Sequence, residues 1–352
     1  MADWTASMQQ TFEFYTVDPH TWADGKKLET IKSGSITRDL EHETLGNARF
    51  VTTDPFDECY VRVYLITIQN DVKEKFCLGT FLCQSPGRKF NGKVTEHSLD
   101  AYTPLIELKE KRPQIGYSVR KNANVLDVAG ILTEENVRAP VIEGKSSSKL
   151  ITSFVANIND TWLTFLKDLL KNAEYGFALD ELGRILFEPD QDVNAMQPVW
   201  TYDDGNSSIL QADVSVERDL YNMPNVVEVV YSKDDRTLFS RVVNNDKDSL
   251  ISTVNRGREI VYREQDPEIA DDATQAQVNS YARKLLREKS SLEYTVEYTH
   301  GYCPVRLGDC VLLNYRRAGL NNIRARVTRQ SIDLTAGCQV SETAVYSTSL
   351  WE

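Results

Sequence analysis

Histidine is scarce in this chain, with four in 352 residues. They are His20, His42, His97 and His300, and none stands in a recognisable nucleophile–base pattern. The G-x-S-x-G elbow of the serine hydrolases is absent. Six cysteines are too few for a disulfide scaffold. Cys77, Cys83, Cys303, Cys310 and Cys338 fall in or beside expected strands, and Cys59 just precedes one. Reduced, half-buried thiols are therefore expected. Structural zinc needs closely paired ligands such as C-x₂₋₄-C. His300-x₂-Cys303 supplies one pair, the second is missing, and Cys310 and Cys338 read as strand thiols. No run approaches the roughly 20 apolar residues that span a bilayer. The opening MADWTASMQQTFEF lacks the apolar core of a signal peptide. The expectation is a soluble chain, not exported by a visible signal and without a membrane anchor.

What is present is ordinary in bulk. Hydrophobic residues make up 41% and charged residues 26%, which suits a globular protein. The length predicts more than one unit. The net charge of −12 argues against general nucleic-acid binding, which needs a basic footprint. An acidic wall would still let DNA pass, because it repels phosphate.

Strand signals dominate residues 1–118. Trp4 to Val17 is extended and broken at Asp18-Pro19. YVRVYLITI (Tyr60–Ile68) is β-branched, aromatic and almost wholly apolar on both faces. A turn at Gln69-Asn70-Asp71 leads to a strand over Phe76–Cys83. Ser85-Pro86-Gly87-Arg88 and Asn91-Gly92 are further turn signals, and Val94–Tyr102 is extended again. The middle of the chain mixes types. Asn124 is expected to cap a helix over Val125–Asn136, and Asp160 one carrying Trp162, Leu163, Phe165, Leu166, Leu169 and Leu170. Tyr175–Leu179 and Arg184–Glu188 read as a hairpin. After a polar stretch at 190–222, Val226–Tyr231 and TLFSRVV form another hairpin around Lys233-Asp234-Asp235-Arg236. A helix begins at Asp271-Asp272 with Val278, Tyr281, Ala282, Leu285 and Leu286 on one face. Leu292–Thr299 and Ile323–Thr328 alternate as half-buried antiparallel strands.

The short motifs do not carry chemistry. EGKSSS (Glu143–Ser148) resembles the tail of a phosphate loop, but the Gly required five residues before Gly144 is Ala139, followed by Pro140. A mobile Gly/Ser linker is expected there. Asp203-Asp204-Gly205-Asn206 lacks the spaced carboxylates and the final Glu of a calcium loop and reads as a solvated turn. Carboxylates are plentiful, yet no pair stands out as a glycosidase acid and base. No catalytic, cofactor-binding or metal-ligating residue is assigned.

The run FCLGTFLCQSPGRKFNGKVTEHSLDAYTPLIELK (76–109) has a looser echo near the C-terminus, from CPVRLGDCVLLNY through IRARVTRQSIDL to QVSETAVY. Both pieces carry Leu-Gly, at Leu78-Gly79 and Leu307-Gly308, at what look like strand openings. LGTFLCQSPGRKF, SLDAYTPLIELKEKRPQIGYSV and IKSGSITRDLEHETLGNARF resemble the N-terminal half of phage baseplate or tail hub proteins of the late control protein D type. The Trp162–Leu170 helix, YGFALDELGRILFEP, PNVVEVVYS and VRLGDCVLLNY fit later parts of the same family. Cys77 stands where the family would place Pro.

That resemblance implies an α+β, mainly β fold with two tail-tube-like β-barrel domains and intervening α/β domains. The strands at 76–109 and 292–346 would be two copies of one tube-like module. The expected division is 1–118 for a first barrel, 119–210 for an α/β insert, and 211–352 for a second barrel with a helix near 272–289. It implies a non-enzymatic homotrimer joining the six-fold tail tube to a three-fold tip or spike. Its neighbours would be the tail tube or distal tail protein, the spike or tip protein and the tape measure protein. DNA would pass through the lumen without specific binding. It would sit in the virion, at the tail baseplate or tip, after assembly in the bacterial host cytoplasm. The alternatives are a tail-associated cell-wall hydrolase and a receptor- or glycan-binding tail-tip protein.

Overall fold

The computed structural model describes residues 2–351 except Phe56, Asn91, Asp234, Asp235, Asp266, Glu268, Ala270 and Asp271, with only the backbone of Ser85 and Pro86. The Asn91-Gly92 turn, the Asp234-Asp235 turn and the Asp271 helix start thus fall wholly or partly outside the described residues.

Seven strands come first: β1 (Gln9–Val17), β2 (Asp24–Lys27), β3 (Ile31–Asp39), β4 (Gly46–Thr52), β5 (Cys59–Gln69), β6 (Val72–Phe90) and β7 (Thr95–Tyr102). The mixed segment holds α1 (Ile106–Glu110), β8 (Ser118–Val119), α2 (Val125–Glu134), β9 (Phe154–Val155), α3 (Trp162–Lys171), β10 (Tyr175–Leu179) and β11 (Ile185–Pro189). Next come β12 (Trp200–Asp203), β13 (Leu210–Arg218), β14 (Val226–Lys233), β15 (Arg236–Val243), α4 (Thr253–Arg256), β16 (Val261–Gln265) and α5 (Gln275–Lys289). The chain closes with β17 (Ser291–Gly301), β18 (Cys310–Asn314), β19 (Ile323–Asp333) and β20 (Gln339–Ser349). The fold is α+β and mainly β, as the sequence predicts. Residues 190–222, which carry no clear pattern, supply β12 and β13.

The chain divides into two compact units. One is Met1–Asp213 with Tyr298–Thr343, and the other is Val214–Glu297 with Ala344–Glu352. In the first unit the strands run in the sheet order β19-β3-β4-β7-β6-β5-β1-β2, with β18 joining β19 and β12 joining β18.

Within the first unit, β5 and β6 are joined through Asn70 and Asp71, both with positive φ (49° and 60°). Two such residues make the type I′ turn whose twist matches that of a hairpin. β5 is buried along most of its length, and one of its buried residues is Arg62. Its guanidinium is neutralised by Asp24 (2.8 Å) and donates to Thr80 Oγ1 and to the carbonyls of Trp22 and Leu182. The one charge in this otherwise largely apolar strand is thus fully paired, by partners its sequence does not indicate.

The insert elements form a second layer in the same unit. Asn124 caps α2 as expected, accepting from Leu126 N and Asp127 N. The cap of α3 is Thr161, one residue later than the Asp160 expected, because Asp160 Oδ2 already accepts from Asn157 N (2.7 Å). Thr161 and Thr164 form a reciprocal capping box. Leu163, Phe165, Leu166, Leu169 and Leu170 are all fully buried. Each such side chain contributes about 1.5–3 kcal/mol of transfer free energy, so packing rather than helix propensity holds α3 in place.

In the second unit β14 pairs antiparallel with β15 and parallel with β16. Helix α5 packs on them through Val278, Ala282, Leu285 and Leu286, against Val227, Val229 and Tyr231. It is capped by Thr274 in a box with Gln277 and begins at Gln275, later than the acidic pair suggested.

Candidate functional site: a cleft beside a strand seam

The strand seam, the polar cluster behind it and the adjoining cleft all belong to the first unit. The early and late β segments meet where β3 pairs antiparallel with β19, Ser35–Asp39 against Asp333–Arg329. Ile36, Ala48, Phe50 and Leu78 share one hydrophobic core with Tyr302, Ile332, Leu334, Cys338 and Val340. Arg38 bridges the seam: Nη1 donates to Gln330 Oε1 (3.0 Å) and Nη2 to the Leu78 carbonyl (2.7 Å).

A closed polar cluster lies behind the seam. Glu342 accepts from Tyr298 OH (2.5 Å) and Gln330 Nε2 (2.6 Å) and stands 3.5 Å from His300 Nε2. The Tyr202 hydroxyl lies 3.0 Å from His300 Nε2 and 3.3 Å from Cys303 Sγ. Burial disfavours charge on His300, but its hydrogen bonds to Cys303 and Glu342 and the Glu342 charge outweigh this. Together they raise the imidazole pKa to about 10. Burial above all raises the Tyr202 and Tyr298 phenols well above the usual range.

Cys303, His300 and Glu342 have the order of a thiol nucleophile, base and orienting acid. The geometry denies them that role. His300 Nδ1 faces the Gly301 carbonyl at 2.6 Å and is 3.9 Å from the sulfur, so it is occupied as a donor. All three side chains are buried, and substrate has no access. The cluster pins β17, β19 and β20 together.

A cleft of about 420 Å³ opens on the other side of Arg38. Its floor includes Leu45, Leu78, Phe81 and Leu307, and one wall is the β10–β11 hairpin. The hairpin tip is fastened by donors from the first β segment. The Leu182 carbonyl accepts from Trp22 Nε1 (2.7 Å), Thr80 Oγ1 (2.9 Å) and Arg62 Nη2 (3.2 Å), and the Glu181 carbonyl from Cys77 Sγ (2.8 Å). Gly183 completes the tip with φ +73°, and a Cβ there would lie 2.7 Å from Thr80 Cβ.

Most charges of the cleft are matched. Arg306 pairs with Glu181, Arg326 with Asp190 (3.0 Å) and Arg184 with Asp180 (2.5 Å). Lys167 donates to the Glu43 carbonyl (2.7 Å), and burial lowers its pKa. Burial raises that of Asp309, which accepts from Arg306 N (2.8 Å).

The two Leu-Gly phrases both line this cleft. They are not equivalent strand openings. Leu307-Gly308 is a turn before β18, with Gly308 at φ +88°. Leu78-Gly79 lies inside β6, where a Cβ on Gly79 would strike the Phe81 ring at 2.6 Å. The last part of the 76–109 run is also not strand, since Ile106–Glu110 is helical.

The other singled-out residues scatter. His20 is on an exposed turn, His42 Nδ1 accepts from the Thr44 and Gly46 amides, and His97 pairs with Thr52 and Arg88 in the sheet. Cys310 faces the Val193 carbonyl, while Cys338 packs in the seam core, so neither joins His300 and Cys303. Cys59 and Cys83 are direct cross-strand neighbours, and all six thiols are free. The 143–148 loop is tied rather than mobile: Asn124 Nδ2 donates to the Ser146 carbonyl (2.6 Å) and Val125 N to that of Ser148 (3.1 Å). Asp203 caps its own turn by accepting from Gly205 N (2.9 Å). Sequence reasoning missed Arg38, Arg62 and Glu342, each a charged residue inside a strand whose partner is remote in the chain.

No family model and no curated protein sequence matches this chain. Solved structures do. A tail protein from Neisseria meningitidis MC58 matches with TM-score 0.64 and 14% identity over 96% of each chain. The 43 kDa tail protein of prophage MuSo2 from Shewanella oneidensis matches with TM-score 0.64 and 12% identity, over 95% of this chain and 98% of that one. A structure of the Francisella PdpA–VgrG complex matches with TM-score 0.59 and 9% identity, over 96% of this chain and 58% of that one. The chain has the fold of phage tail proteins.

Proposed function

We propose that this chain is the structural hub of a phage tail or baseplate. Three copies form a ring that adapts the six-fold tail tube to a three-fold tip or spike. The reading takes 1–118 and 211–352 as tube-like modules around a 119–210 insert. The observation that carries it is the β3–β19 seam, where early and late β segments meet edge to edge over one core. A chain that brings two such modules supplies six positions from three copies. The similarity to tail proteins over nearly the whole of both chains supports the same reading.

The ring joins the tube or distal tail protein on one side and the spike or tip protein on the other. The tape measure protein and then DNA occupy the lumen, all in the virion after assembly in the host cytoplasm. Three times −12 is a field that repels phosphate and lets DNA slide rather than bind. Native mass measurement is expected to give three copies, and negative-stain images a three-fold ring with six lobes. A chain that stays monomeric at high concentration would overturn the proposal.

One observation favours a second reading, a cell-wall hydrolase. Asp309 has its pKa raised by burial, at a cleft that also holds Glu181 and Glu188. Zymography on cell wall separates the two. The hub reading expects no clearing; clearing that disappears in Asp309→Asn would establish the hydrolase.

A further inference from the structure

The β10–β11 hairpin is a two-stranded sheet of its own, with Phe177 opposite Phe187 and Leu179 opposite Ile185. Asp190 N donates to the Glu174 carbonyl (2.8 Å), and Asp180 N to that of Arg184 (3.1 Å). These two bonds fix the phase of the ladder: even-numbered residues of β10 bond to β11. The amides and carbonyls of Tyr175, Phe177 and Leu179 then point away from it. Pro189, opposite Tyr175, agrees with this phase, since it has no N–H to give. Among the described residues no hydrogen bond reaches those three residues' backbone groups.

The far edge of β11 is already occupied. Ile185 N donates to the Pro140 carbonyl (2.9 Å), and Ile142 N to that of Ile185 (2.8 Å). The free edge of β10 is different, because every residue of β10 lines the cleft. An unpaired strand edge of this kind is a template for pairing with another chain. Five residues at about 3.3 Å each give a ladder roughly 17 Å long, with bonding groups at every second residue.

The geometry points to this cleft as the docking site for an extended, uncharged peptide segment of a partner protein, added as a strand to the free edge of β10. Strand addition takes its affinity from main-chain bonds and its selectivity from pockets for alternate side chains. Leu45, Leu78, Phe81 and Leu307 offer such a floor for small or apolar residues. The cations lining the cleft each have a partner, Arg306 in Glu181, Arg326 through Nη1 in Asp190, Lys171 in Asp168, Lys167 in the Glu43 carbonyl, and Arg38 in Gln330 and the Leu78 carbonyl; among these groups only the buried Arg326 Nε is left without one. An anionic ligand would have to break those contacts, whereas a neutral backbone uses only the groups left open.

A displayed library of random end-blocked octapeptides, selected on the full chain, tests this. Gly176→Tyr serves as the counter-selection target. Gly176 is exposed at the cleft with nothing within 4 Å of where its Cβ would stand, so a bulky side chain can start there without meeting a neighbour and is expected to obstruct the free edge. Enriched peptides should be uncharged and should bind Leu179→Ala within about threefold of the parent. Binding to Leu179→Pro, which lacks only one outward N–H more, should be at least tenfold weaker. In the parent, bound peptide should slow exchange of the Tyr175, Phe177 and Leu179 amides. No enrichment over Gly176→Tyr, a charged consensus, or equal binding to the Pro and Ala variants would overturn the proposal. Should Leu179→Pro fail to fold, the amide protection decides, and unchanged exchange at those three residues is the negative result.

Discussion

At the scale of single residues, the molecule is organised by a few buried charges with remote partners. His300 is the most consequential for pH. Its folded pKa, about 10, lies above the ordinary 6.5. The stability it contributes is therefore fully present below pH 6.5 and lost as pH rises through 10. Unfolding measured against denaturant should show the parent's advantage over His300→Gln to be largest near pH 6. That advantage, on the order of a few kcal/mol, should shrink steadily toward pH 10. A pH-independent difference between the two proteins would refute the assignment. None of this was legible in the sequence. His300 and Cys303 are three residues apart and visible as a pair, but Glu342, Gln330 and Tyr202 reach them only through sheet pairing. Arg62 was hidden for the same reason, since Asp24 and Leu182 are far from it in the chain.

At the scale of elements, local signals were dependable and non-local ones were not. The α2 cap, the α3 apolar face and the β10–β11 hairpin could all be read, because each rests on neighbours within a few residues. The parallel pairings of β12 with β18 and β14 with β16 could not, because nothing local encodes a parallel partner. The hairpin tip gives a direct test of how β10–β11 is held. Gly183→Ala meets both a left-handed φ and the Thr80 side chain. It should lower stability by about 1–3 kcal/mol in chemical denaturation. Gly176→Ala in the same hairpin has open space and should stay within about 1 kcal/mol. Equal effects would mean that the tip is not anchored as described.

At the scale of the whole molecule, the mainly β character and two distant β regions were legible from strand patterns and turns. Their direct joining was not, because the β3–β19 register depends on side chains such as Arg38 and Gln330 that meet only in three dimensions. Ile332 sits at the centre of that join and is almost fully buried. Ile332→Ala should cost about 2–5 kcal/mol and leave a cavity. It should also speed amide exchange in β3 and β19 together, although they are distant in sequence. Faster exchange in β19 alone would show that the two segments are not one cooperative unit.

Arg38 and Gln330 are 292 positions apart. At ribosomal rates the first must wait on the order of tens of seconds for the second to be made. During that time β3 is the unpaired margin of a nascent sheet, a state that invites adhesion to other chains. Its sequence is suited to the delay. Lys32, Gly34 and Arg38 interrupt IKSGSITRD with charge and flexibility, the devices that keep a bare strand from sticking. A strand that ends in the interior of the finished sheet thus carries the chemistry of a border, because during synthesis it is one.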